Sequence, residues 1–135
     1  MEWDARIRGA VGLHRGVADA LGRRIVDAPI GCRSQLLDRA RRHGWCADEW
    51  STVVPLLHDV DAPALVPIDT ALGHASADLV RAVDGVAALE AEGAVAARLA
   101  ALYRSWRDEA SEIADAPYLH TVARMLVELA AGPTA

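Results

Sequence analysis

Apolar residues return along most of this chain every three or four positions, the spacing of one helix face, and no segment alternates convincingly as a strand would. The first series, Ile7, Val11, Ala18, Leu21 and Ile25, predicts a helix over residues 3–27, stopped by Pro29 and Gly31. Leu36, Ala40, Ala47, Trp50 and Val54 predict a second over 33–54, ended or kinked at Pro55. A proline-punctuated stretch follows, "PLLHDVDAPALVPIDT", and then a modest helix capped by Asp69 or Thr70 and reaching about Val83. Val95, Leu99, Leu102, Trp106, Ala110 and Ile113 predict a long alanine-rich helix over 86–114, with Gly93 as the point where it can break. The last helix, 117–131, opens at "DAPY" with Asp115 as cap and Pro117 in its first turn. Its buried stripe is Leu119, Val122, Leu126 and Leu129.

Short loops join the first and last helix pairs, while residues 55–85 carry the chain from one pair to the other. The expected fold is therefore all-α: a four-helix bundle in which two helical hairpins are joined by a long crossover carrying a short extra helix. Its 135 residues read as one domain, 1–135, long enough to bury a core.

Two slots in these stripes are not apolar. His14 interrupts the first series and His43 the second, and the two lie almost equally far from the turn at Pro29–Gly31. Folding the first hairpin about that turn sets both imidazoles in nearly the same layer, facing each other or a shared space. Three readings follow. The pair is a neutral, hydrogen-bonded part of the core, with the fixed charge of Arg39 one turn away favouring the neutral form of His43. Or it ligates a single metal or a haem, since neutral imidazole is the commonest metal ligand. Or it borders a small-molecule pocket walled by Trp50, Tyr103 and Trp106, which sit on or beside inward faces. A purely structural pair predicts that His14→Leu keeps or raises stability, provided no buried partner is left unsatisfied.

Two hairpins, one long crossover and His43 midway along the second helix together resemble the ferritin-like superfamily. The resemblance implies that fold and, in its di-metal members, a Glu on each of two helices and Glu-x-x-His on each of the other two. Here Ala40 stands where His43 should have its Glu, His14 stands where the first helix should offer one, and Pro117 precedes His120 at that spacing. Glu90, Glu92, Glu109 and Glu112 fall off the Leu99/Trp106 stripe. The architecture is carried over without a di-iron site, and no metal or other cofactor is expected.

Composition narrows the chemistry further. The chain contains no Lys, Asn or Phe and is rich in Ala, Arg, Val, Leu and Gly, a bias of high-GC codons that points to a bacterial source. Without lysine there is no Schiff base, pyridoxal-phosphate anchor or P-loop. A formal charge of −5 argues against nucleic acid as a partner. Many arginines have an acid at helical spacing, among them Asp4–Arg8 and Arg124–Glu128, as on a solvated helix surface. No apolar run reaches membrane length, no leader is read from the charged N-terminus, and Cys32 and Cys46, about 20 Å apart along one helix, cannot pair. These features together predict a cytoplasmic protein. Ala5, Gly9, Gly12 and Gly16 line the opposite face of the first helix, and Trp45 points outward on the second, so a C2 homodimer through these surfaces is expected. The functional expectation is a non-redox binding or accessory protein for a small ligand or a protein partner, with His14, His43, Trp50, Tyr103 and Trp106 around the ligand. The alternative is a cofactor-free or mononuclear-metal enzyme using His14 and His43.

Overall fold

The computed structural model describes residues 3–53 and 69–130, and these form five helices: α1 (Trp3–Ile25), α2 (Ile30–Val53), α3 (Thr70–Val80), α4 (Gly85–Glu109) and α5 (Ala116–Ala130). Among the described residues there is no strand, and the arrangement is bundle-like and all-α. The proline-rich part of the crossover, with His58 and the "HDVDAP" loop, lies outside the described residues.

Local chemistry explains where the helices begin and end. Pro29 starts α2 rather than merely stopping α1: its carbonyl accepts the amides of Cys32 and Arg33, so the helix begins at Ile30 and Gly31 lies inside it. Arg33 ties the turn by donating to the carbonyls of Ala28 and Val26. Asp69 caps α3 through Oδ1 to the Leu72 amide, and Asp84, which the periodicity does not single out, caps α4 in the same way at Ala87. The long helix does not reach 114. It runs unbroken through Gly93 and stops at Glu109, with Ala110 extended. Beyond it the Asp115 carboxylate accepts the Ser111 amide and Ser111 Oγ accepts that of Ala114, side-chain bonds that replace the helical ones. Ile113 is consequently not on a buried stripe but 90% exposed. The Ser111 N–H also holds the Asp115 carboxyl below its usual range.

Contacts between the helices fix their directions. Arg39 and His43 of α2 meet Glu92 of α4, and farther along Trp50 meets Tyr103, so α2 and α4 run parallel. His14 reaches Tyr103 while Arg6 pairs with Glu109, so α1 runs against them. In α5, Tyr118 stacks on Trp3 and Arg124 pairs with Glu49 of α2 rather than with Glu128 along its own helix. Thr121, Val122 and Met125 form its most buried face, a little rotated from the expected stripe. The α3 helix packs on α4 and, more lightly, on α1.

The Trp45 ring carries the Arg124 guanidinium 5.2 Å above it, so α5 of the same chain covers it. Of the small residues on the face of α1 opposite His14, Gly9 is buried, while Gly16 is exposed and a Cβ there would meet nothing within 4 Å among the described residues. Both cysteines are free. Burial first, then Glu128 and Glu49, outweigh Arg42 and push the Cys46 thiol up to about 12, which leaves it a protonated core residue.

Candidate functional site

His14 and His43 meet in the interior. Each is fully buried, and their Nδ1 atoms lie 2.9 Å apart. The pair is the middle of a longer chain of hydrogen bonds. On one side His14 Nε2 lies 2.6 Å from the Tyr103 hydroxyl, which also accepts the indole N–H of Trp50 at 3.1 Å. On the other, His43 Nε2 lies 3.0 Å from Glu92 Oε1, while Arg39 donates to Glu92 Oε2 at 2.6 Å and to the Leu89 carbonyl.

With both rings neutral, one arrangement of protons satisfies every bond. Glu92 accepts, so His43 donates from Nε2 and its Nδ1 is an acceptor. His14 then donates from Nδ1, its Nε2 accepts the Tyr103 O–H, and the Tyr103 oxygen accepts from Trp50. All donors point toward the carboxylate. A further proton on His43 would reverse the His14 tautomer and leave the Tyr103 hydroxyl hydrogen without its acceptor. It would also add a charge beside a carboxylate that Arg39 already matches.

The electrostatics follow from the same geometry. Burial, and then the neighbouring His43, hold the His14 pKa well below the usual histidine value. Burial alone would raise Glu92, but the His43 hydrogen bond and the Arg39 charge outweigh it and keep the carboxyl below its usual range. Burial pushes the Tyr103 phenol up, so it stays a donor. Arg39 therefore affects His43 less as a direct neighbour than through Glu92, which lies between them.

Of the five residues expected around a ligand, His14, His43, Trp50 and Tyr103 are joined by these bonds, and Trp106 packs edge-on to Tyr103 at 5.2 Å and to Trp50 at 6.1 Å. Glu92 is the residue that sequence reasoning misplaced. It is 2% exposed and belongs to the α4 stripe with Val95, Leu99, Tyr103 and Trp106. Its spacing to Val95 and Leu99 is the signal that would have found it.

A di-metal carboxylate centre does not fit this donor set. Among the described residues the buried polar groups are His14, His43, Glu92 and Thr121, and no cluster of three His, Cys, Asp or Glu is placed to hold a metal. All four ring nitrogens and both Glu92 oxygens already have partners.

Beside the network, between α2, α4 and α5, lies a cleft of about 400 Å³. Arg39 and Glu92 form part of its wall, Arg42 and Arg104 stand at its rim, and Gly93, Ala96, Ala97, Ala100, Leu126 and Leu129 supply apolar lining. None of the five expected residues lines it; the network reaches it only through the Arg39–Glu92 pair. Neither a family model, nor a curated protein, nor a solved structure matches this chain.

Proposed function

We propose that the protein is a non-redox binding module, a four-helix bundle of ferritin-like architecture without a di-iron site, that takes a small ligand in the cleft between α2, α4 and α5. The observation that carries this reading is the cleft itself: about 400 Å³, within the roughly 300–1,000 Å³ range of small-molecule sites, with an apolar lining and a few polar groups at its edge. The histidine network is then its fixed back wall. It locks α1, α2 and α4 in register and holds Glu92 and Arg39 in one orientation.

An acid–base enzyme using His14 and His43 would need a ring nitrogen within reach of substrate. What weighs against it is that both rings are fully buried and every ring nitrogen is engaged.

The test is an amide-resonance titration with n-octanol as a neutral probe. The reading expects saturable shifts centred on Ala96, Ala97, Ala100, Leu126 and Leu129, lost in Ala100→Leu, which fills the cleft. Shifts elsewhere, or none, would contradict it.

A further inference from the structure

Resting on that cleft reading, we infer that the ligand is an amphiphilic organic anion: an elongated apolar body with a carboxylate at one end. The charges of the cleft point to it. Its lining holds three guanidinium groups, Arg39, Arg42 and Arg104, against one carboxylate, Glu92. That is a net of two positive charges in a chain whose formal charge is −5, so the excess is local and not the background of the protein.

The four groups are not equivalent. Arg39 is spent on Glu92 Oε2 and the Leu89 carbonyl, and Glu92 is spent on Arg39 and His43. Arg42 and Arg104 form no ion pair among the described residues. Their charges are available to a ligand. A guanidinium presents a planar fork of donors that matches a carboxylate, the geometry of the strongest charge-assisted hydrogen bonds. The network sharpens the selection. Because Arg39 supplies the countercharge to Glu92 and His43 occupies its other oxygen, the back wall does not repel an incoming anion as a bare carboxylate would.

The apolar part is set by side-chain size. Gly93, Ala96, Ala97 and Ala100 put small residues along two adjacent turns of α4, opposite Leu126 and Leu129 of α5. Gly93 and Arg104 are separated along α4 by a rise of about 17 Å. A trough of that length with a cation toward its end accommodates a straight alkyl or aryl-alkyl body better than a compact one.

The experiment compares octanoate, n-octanol and n-octylamine by calorimetry and by amide-resonance titration, on wild type, Arg42→Gln, Arg104→Gln and Ala100→Leu. Both arginines are on the rim and outside the buried network, and a thermal melt of each variant verifies folding. Octanoate is expected to bind about tenfold or more tightly than octanol in wild type, the worth of one hydrogen bond to a charged group. One of the two Gln variants should erase that preference and leave octanol affinity unchanged, which also identifies the arginine that holds the head group. Raised salt should weaken octanoate and spare octanol. Equal affinities for all three probes, or a preference for octylamine, would overturn the anion assignment and leave the cleft reading standing. No cleft resonance moving with any probe would overturn both.

Discussion

The aromatic layer and the histidine layer adjoin in one interior and share Tyr103, yet they are held in different ways. In the first, Trp3 stacks on Tyr118 at 4.8 Å and meets Trp106 edge-on at 5.9 Å, while Trp106 meets Tyr103 and Trp50 in the same edge-on manner. These contacts are governed by area and shape, and a lost ring is a lost volume. In the second, His14, His43, Glu92 and Tyr103 are held by directed bonds, each of which fixes the proton position of the next. There a lost side chain is also an orphaned partner. The comparison teaches that burial alone does not say what a substitution costs; what is left behind does.

The largest effect belongs to the aromatic layer. Trp106→Ala should lower stability by about 3–5 kcal/mol in denaturant melts, the cost of an aromatic deleted from a packed core. That loss should vary little with pH, because it is mainly a loss of packed ring volume, with the Arg6 guanidinium 5.6 Å from the ring centroid losing only a face to rest on.

The histidine layer responds differently. His14→Leu is close in size, yet it leaves the Tyr103 O–H without its acceptor, although that oxygen keeps the Trp50 N–H, and His43 Nδ1 without its donor. It should cost about 2–4 kcal/mol, since the two orphans contribute about 1–3 each and the more apolar leucine offsets part of that. The condition under which a structural histidine can be replaced for free therefore fails here. Adding Tyr103→Phe to His14→Leu removes the stranded hydroxyl and leaves only the Trp50 N–H and His43 Nδ1 unpaired, so the double variant should cost clearly less than the sum of the two singles, which strand four groups between them. Additive costs would mean that the two side chains are not coupled.

A third difference appears on acidification. The folded protein holds His14 below the ordinary value of 6.5, so below that pH the unfolded chain takes up a proton that the folded one refuses. Stability is full above about 6.5 and falls as pH drops through it, by up to about 1.4 kcal/mol per pH unit. Glu92 has the same sign but acts lower. Its folded carboxyl is depressed below 4.5, so its contribution is lost only as pH falls through the range below that value. Melts between pH 7.5 and 5 should show the histidine slope in wild type and Trp106→Ala, and a flatter one in His14→Leu.

The smallest effect lies outside both layers. Gly16→Ala, where a Cβ meets open space in the middle of α1, should raise stability by about 0.5–1 kcal/mol through helix propensity alone. A loss at that position would point to a partner seated on that face.

Much of this was legible in the sequence, for reasons that also explain what was not. The spacing of Ile7, Val11, Leu21, Leu36 and Trp50 marks two buried faces, and hairpin geometry alone brings His14 opposite His43. Tyr103 and Trp106 are found by the same periodicity on α4. Glu92 escapes because a carboxylate on an apolar stripe contradicts the rule that charge faces water, and only the joint presence of Arg39 and His43 on another helix makes its burial tolerable. The end of α4 escapes because Ala110 and Ile113 keep the helical spacing, while Ser111 and Asp115 form a competing turn that periodicity does not see. The cleft escapes because its walls come from three helices and its floor is made of alanines, which in a list of residues look like helix formers rather than like space.

The central claim is that the histidines are a neutral, directionally ordered wall and not the reacting centre. Nitrogen-15 spectra of histidine-labelled protein at pH 7 test it most directly, because they report the protonation of each ring nitrogen. Two neutral rings of opposite tautomer are predicted, His14 protonated at Nδ1 and His43 at Nε2, with the assignment unchanged when octanoate fills the cleft. An imidazolium on either residue, or a tautomer that changes on ligand binding, would contradict the account and place the pair in the chemistry of the site.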